Sequence, residues 1–269
     1  MSRGMYAAAS AMVADAERFE AISNNLANVN THGYKRQQTV HHDFEYGLLK
    51  RIHAQSMRVE SDAQGQPERR YVPSSDQKIG VLGTGTMTIE SWTDFDNGSL
   101  ETTEGKLDLA LQGDGFYALS TEAGQTLYTR NGAFVLDAEG LMRTPAGLLL
   151  LDQNGEAIQL SGVNQVDVGR DGTIFGDGVA IAQIQRVRFE TPQLLLNRGQ
   201  NLYEALPQQA VLPADTSVHQ GYLERANVDV AGEMVLMISA LRSYQVSQKA
   251  MQTEDDMTGK LVNEVGRLT

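Results

Sequence analysis

Histidine is the side chain that most readily holds a metal or moves a proton near neutral pH. Four of the five in this chain, His32, His41, His42 and His53, fall in or beside one stretch. Their spacing fits neither H-x-x-x-H nor H-E-x-x-H. The absence of cysteine removes thiolate ligands, a Cys nucleophile and disulfides together. We expect solvated loop histidines and no metal. The fifth, His219, stands alone in a polar stretch that reads as a loop, and no G-x-S-x-G nucleophile elbow occurs. Gly80-Val81-Leu82-Gly83-Thr84-Gly85 lacks the third glycine at a helix start that a dinucleotide loop needs, and it leads into the strand-like run Met87 to Trp92. Asp94-Phe95-Asp96-Asn97-Gly98 begins like a calcium loop, but its glycine comes one place early and no Glu closes it, so a turn is expected. Gly169-Arg170-Asp171-Gly172 with Gly176-Asp177-Gly178 has no tandem repeat to build a calcium-binding stack. No cofactor is expected, and nothing here asks for catalysis.

Bulk properties narrow the classes further. The 269 residues are 41% hydrophobic and 21% charged, ordinary for a folded chain of one or two domains. Twenty-two basic against thirty-four acidic residues give a net charge of -12, which argues against a phosphate grip on nucleic acid. Asp15, Glu17 and Glu20 interrupt the N-terminal apolar run too soon for a signal-peptide core, and no eighteen-residue apolar span exists, so no membrane insertion is expected.

The elements that position these residues follow from hydrophobic period. Met5, Ala8, Met12, Phe19, Ile22, Leu26 and Val29 recur every three or four residues, with only Asp15 out of place, as in an amphipathic helix. Asn28, Asn30 and Gly33 tolerate left-handed backbone, so the helix should stop near Asn30 and reverse at Gly33 into an extended segment. Val230, Met234, Met237, Leu241, Tyr244 and Met251 form a second stripe that drifts onto Met257, Leu261, Val265 and Leu268, with Asn227 or Asp229 as cap. From Arg36 to about Lys78 clear period is lost. Phe44 to Ile52 is compatible with a short helix, and Gln64-Gly65-Gln66-Pro67 and Pro73-Ser74-Ser75 read as breaks. From Gly80 to about Leu212 the signal is β: Leu107, Leu109 and Leu111 alternate, as do Val187 and Phe189. Hairpin-type pairs occur at Asn97-Gly98, Asp114-Gly115, Asn131-Gly132, Asn154-Gly155, Asp171-Gly172 and Asp177-Gly178.

The class is therefore α+β: long N- and C-terminal amphipathic helices, expected to be packed as a coiled-coil-like assembly domain, with an inserted, mainly antiparallel β domain. Its divisions are 1–36 (assembly helix and turn), 37–79 (linker or extended), 80–215 (β-rich) and 216–269 (assembly helix packing with 1–30). On pattern alone, two helices layered over a globular core fit as well as helices that pair with other copies.

The run Asn24-Asn25-Leu26-Ala27-Asn28-Val29-Asn30-Thr31-His32-Gly33-Tyr34-Lys35 resembles the N-terminal signature of the bacterial flagellar axial proteins of rod, hook and hook-associated type. Gln220-Gly221-Tyr222-Leu223-Glu224-Arg225-Ala226-Asn227-Val228-Asp229-Val230, then Glu233-Met234 and Leu241-Arg242-Ser243-Tyr244-Gln245, resembles their C-terminal signature. Leu111 to Tyr117, Tyr128 to Phe134, Val168 to Gly172 and Asn201 to Tyr203 resemble blocks of the basal-body rod branch, the distal-rod type being nearest.

That resemblance implies a structural subunit, not an enzyme, that polymerises through its terminal helices into the hollow rod of the flagellar basal body. Its implied partners are further copies in a helical homopolymer, other flagellar rod and hook proteins, and the flagellar type III export apparatus. A proximal-rod or hook-type paralogue is the neighbouring reading. It also implies assembly roles for Asn24, Asn25, Leu26, Asn28, Thr31, Gly33, Tyr34 and Lys35, and for Gly221, Asn227, Val228, Met234, Met237, Leu241 and Tyr244. The asparagines would satisfy the helix end or bridge to a neighbour, Gly33 would permit the reversal, and Tyr34 would pack against the helix pair. Lys35 and Arg36 would meet acidic residues of another copy. Two other classes stay open on residues alone: an extracellular β-rich hydrolase or lyase, and a monomeric adhesin or capping module.

Overall fold

The computed structural model describes residues 3–50, 57–61, 67–71, 78–163 and 165–265. Ile52, His53, Gln64 to Gln66, Pro73 to Ser75 and Leu268 lie outside them. Among the described residues two long helices, α1 (Arg3–Ala27) and α2 (Val230–Val265), stand towards the two ends of the chain, and the other regular elements are β-strands, most of them short, and one 3-10 turn at Pro192–Leu194. The α+β class and the antiparallel middle are as the sequence implies.

The chain divides into two compact units. One comprises residues 1–17, 40–90 and 240–269. There the strand Met57–Ser61 pairs with Pro67–Tyr71, in register from Met57 opposite Tyr71 to Ser61 opposite Pro67. Phe44 to Lys50, compatible with helix on sequence, belong to a strand, Gln37–Lys50, which pairs with Lys78–Thr93. Val40, Phe44 and Tyr46 fall on alternate positions and are of the β-branched and aromatic types that favour the pleat. Asp15, out of place on its stripe, keeps Oδ2 buried without a hydrogen-bond partner among the described residues.

The other unit comprises residues 18–39 and 91–239 and holds the apolar core. Its central strand, Phe116–Ser120, lies between Thr126–Thr129 and Leu149–Leu150 in a nine-stranded antiparallel sheet. Successive side chains of a strand point to opposite faces. Tyr117 and Leu119 therefore enter one cluster with Leu109, Leu111, Phe134, Met142, Ile158 and Ile174, and Phe116 and Ala118 enter another with Tyr128, Val187, Phe189 and Tyr203. Burial on both faces explains why Phe-Tyr-Ala-Leu reads as a continuous apolar run.

The six Asn-Gly and Asp-Gly pairs do two different jobs. Asp177 and Gly178 have φ of 49° and 86° and join strands Thr173–Gly176 and Val179–Gln183 in a two-residue hairpin. Gly155 and Gly172 also take positive φ in turns. Gly98, Gly115 and Gly132 do not: each is a point of close approach. A Cβ on Gly132 would stand 1.6 Å from the Leu109 carbonyl oxygen, and one on Gly98 would stand 1.9 Å from that of Arg225. For those three the hairpin reading is replaced by packing.

Candidate functional site

The polar groups of the second unit converge where the N-terminal turn meets the segment entering α2. α1 ends at Ala27; the backbone N–H and side-chain Nδ2 of Asn28 both donate to the Asn24 carbonyl oxygen, and the Val29 N–H donates to that of Leu26. The backbone reverses at Gly33, φ 69°, whose N–H donates to the Glu224 carbonyl at 2.8 Å. A side chain there would run into the backbone of Asn131, with its Cβ 2.4 Å from the amide nitrogen. Only glycine meets both demands.

This reversal aims Lys35 inward. Its Nζ donates to Glu224 Oε1 at 2.8 Å and to the Asp96 carbonyl at 2.7 Å. Arg130 Nε donates to the other carboxylate oxygen at 2.9 Å, and the Gly98 N–H donates to Oε1 at 2.8 Å. The rest of the Arg130 fork donates to the carbonyls of Gly113 and Gly115 and to Asn97 Oδ1. Lys35, Arg130 and Glu224 are all buried. One carboxylate thus serves two cations, and the surplus positive charge is spread onto carbonyl oxygens. Burial lowers the Lys35 amine below its ordinary range; Glu224 opposes that shift and the nearby Arg130 guanidinium adds to it.

A second network stands beside it. Asn25, buried at the end of α1, accepts at Oδ1 from the Tyr34 hydroxyl (3.0 Å) and the Gln37 N–H (2.8 Å), and its Nδ2 donates to the Gln37 carbonyl at 2.9 Å. The same Nδ2 reaches Glu233 of α2 at 3.4 Å. Glu233 accepts from Arg36 Nε at 2.5 Å. Asn227 accepts from the Arg36 N–H at 2.7 Å and donates to the Asp94 and Asp96 carbonyls. Burial, with the Glu233 charge second, pushes the Tyr34 phenol up to about 12.

Several expectations change here. Lys35 and Arg36 meet acidic residues of their own chain, Glu224 and Glu233, instead of another copy's, because the Gly33 reversal turns them onto the C-terminal segment. Of the two cap candidates, Asp229 caps α2, accepting from the N–H groups of Ala231 and Gly232, while Asn227 ties the N-terminal turn. His219 lies in strand Ser217–Gln220, where its ring meets Gln112 Oε1 at 2.8 Å and Ser217 Oγ at 3.4 Å, with no carboxylate orienting it. Among the described residues no group of three or more His, Cys, Asp or Glu could hold a metal, and no helix is long and apolar enough to cross a membrane.

The structure brings Asn25, Tyr34, Lys35 and Asn227 together. Asn24, Asn28 and Thr31 line a cleft beside them, and Leu26 and Val228 are half-buried. Gly221 lies apart, at φ 76° in the turn between Ser217–Gln220 and Tyr222–Glu224. On α2, Met237 and Tyr244 are half-buried, whereas Met234 and Leu241 are exposed. Sequence reasoning did not single out Arg130, Glu224 or Glu233 as site residues. Arg130 directly follows strand Thr126–Thr129, Glu224 ends strand Tyr222–Glu224 and Glu233 stands in the first turn of α2; a charge at such positions rarely survives burial without a partner.

Comparison with known proteins fits this layout. A flagella basal body rod protein model matches residues 5–35, a flagellar hook protein FlgE/F/G D1 domain model matches residues 110–176, and a flagellar basal body rod FlgEFG protein C-terminal model matches residues 219–264. Lys35, Arg130 and Glu224 come one from each. The chain is 33% identical over 254 residues to the flagellar basal-body rod protein FlgG of Buchnera aphidicola subsp. Schizaphis graminum, covering 89% of this chain and 91% of that one. It is 31% identical over 277 residues to the FlgG of Borreliella burgdorferi, covering 96% and 97%. To the flagellar basal-body rod protein FlgF of Caulobacter vibrioides it is 28% identical over 270 residues, the whole of both chains.

Proposed function

The chain belongs to the flagellar basal-body rod proteins, structural subunits of the basal body, and from that premise we propose that it enters the rod through its terminal helices. The observation that carries this is the outer surface of α2. Val235 is 67% exposed and Val246 69%, with Ile238, Leu241, Leu261 and Val262 also in water. A soluble helix seldom leaves so many branched side chains uncovered. Burying each fully is worth about 1.5–3 kcal/mol, so association with neighbours has a driving force built in.

On this reading the segments 1–36 and 216–269 form the assembly layer, with helices paired in coiled-coil fashion across subunits, and 80–215 is the β body. Contacts that repeat head to tail without closing generate a helical homopolymer, the hollow shaft between motor and hook. The other rod and hook proteins are its neighbours along the axis, and delivery is through the flagellar type III export apparatus. The four middle blocks make a distal-rod-like position the favoured one. No catalytic role is assigned.

The Glu224 and Glu233 networks then have a mechanical sense. They join the turn after α1, the β body and the entry to α2 with buried charged hydrogen bonds, so these three segments of the second unit are cross-tied.

The test is to supply full-length Val235→Asp and Val246→Asp chains to a strain lacking the gene. Both should fold, since both side chains face solvent, yet fail to restore swimming or to appear in isolated basal bodies. Normal swimming with both variants would remove the argument.

A further inference from the structure

A cleft of about 820 Å³ opens in the second unit between the turn after α1, the loop Thr144-Pro145-Ala146 and the hairpin joining strands Leu196–Gly199 and Leu202–Glu204. That volume lies in the ~300–1,000 Å³ range of pockets that hold a ligand. Its walls contain no Asp, Glu, Lys, Arg or His. They are lined instead by carboxamides. Among the described residues the side chains of Asn24, Gln37 and Gln200 have no intramolecular hydrogen bond, and Asn131 and Asn197 use only their Oδ1 atoms, leaving both amide groups to solvent.

The hairpin is held against the turn at some cost. Gln200 and Asn201 occupy left-handed backbone, φ 51° and 60°, which non-glycine residues rarely adopt. Asn201 Nδ2 donates to the His32 carbonyl at 3.2 Å, and Thr129 Oγ1 donates to the Asn201 carbonyl at 2.8 Å. Both walls are thus fixed before anything binds.

We propose that this cleft receives an extended main-chain segment of a second copy of the chain. Carboxamides donate and accept at once, which suits the alternating N–H and C=O of a peptide, and the walls supply no countercharge to an ionic ligand. A glycan would want an exposed aromatic platform. Tyr34, the single aromatic on the walls, is 6% exposed with its hydroxyl committed to Asn25. A second copy is favoured by charge: each chain carries a net -12, so two copies repel on balance, and a wall without ionisable groups lets them meet at low electrostatic cost. The inference rests on the rod assignment and adds to it a surface away from the helical seams.

The absence of cysteine permits single labels. Full-length Asn197→Cys, on the hairpin, and Ala146→Cys, in the loop, both lining the cleft and exposed, are coupled to a benzophenone, with Val179→Cys as a position outside the cleft. Each is irradiated in rods isolated from cells carrying it as sole copy. Expected is a dimer of this chain from both wall positions, at least tenfold above the Val179→Cys yield, with the adduct mapped by mass spectrometry to a second copy. Adducts confined to the same chain, to another protein or to glycan overturn the inference while leaving the rod assignment intact. Rods that form without this chain overturn the assignment itself.

Discussion

Lys35 Nζ and Glu224 Oε1 stand 2.8 Å apart across 189 residues of chain, both side chains 1% exposed. The same carboxylate holds Arg130, so removing it strands two buried cations. Breaking a buried pair from one side costs about 3–5 kcal/mol. Glu224→Gln should therefore lower unfolding stability in urea by at least that much. Lys35→Met should cost clearly less, because Arg130 and the Gly98 N–H still satisfy the carboxylate. Equal losses would mean that the lysine matters as much as the carboxylate, and that Arg130 and the Gly98 N–H do not satisfy it alone.

Two glycines from the same kind of dipeptide should respond differently to alanine. In Gly155→Ala the new methyl enters open space at φ 81°, so only left-handed strain of about 1–2 kcal/mol is expected. In Gly132→Ala it falls onto the Leu109 carbonyl, beside the core strand Leu109–Gln112, and the strands must part. Urea midpoints should show a small shift for the first and loss of soluble folded protein for the second.

Those glycines show where a sequence stops being readable. Asn131-Gly132 and Asn154-Gly155 look alike because a dipeptide records that glycine is needed, not whether backbone dihedrals or a neighbour's approach require it. Features set by neighbours close in sequence came through: the helical period of α1, the reversal at Gly33 and a cap at Asn227 or Asp229. The junction did not, since Arg130 and Lys35 reach Glu224 across 94 and 189 residues, and their types alone announce ordinary surface charges. The resemblance quoted all three within its motifs, yet only packing shows that they touch.

Asp229 gives a local prediction. Its carboxylate accepts from Ala231 N–H at 3.2 Å and Gly232 N–H at 3.1 Å, donors with no partner inside the helix. Asp229→Ala should cost about 1 kcal/mol, within the usual 0.5–2 kcal/mol for a lost cap. Hydrogen exchange should locate the loss in the first turn of α2, where Glu233 holds Arg36. Asp229→Ser should recover most of it, and unchanged exchange in both variants would place the helix start elsewhere.

Alkali should act on the junction with a definite sign. The Tyr34 phenol is raised from 10.0 to about 12, by burial and then by Glu233. Burial raises Tyr117, Tyr128 and Tyr203 as well. A folded-state value above the unfolded one means that the native chain holds its proton longer, so this stability is full below pH 10.0 and is lost as pH rises through about 12. Lys35 works oppositely: its amine is lowered from 10.5, so its penalty is relieved as pH climbs towards that value and is gone before most of the phenol loss occurs. The net result should be a stability that falls steeply above pH 10, with some of the nine tyrosines silent in the phenolate absorbance until unfolding exposes them. Tyr34→Phe should flatten that fall and also leave Asn25 Oδ1 with only the Gln37 N–H as donor, a loss visible at neutral pH. A variant that flattens the alkaline limb without weakening the neutral fold would show that the phenol titrates there but that its hydrogen bond to Asn25 does not hold the turn.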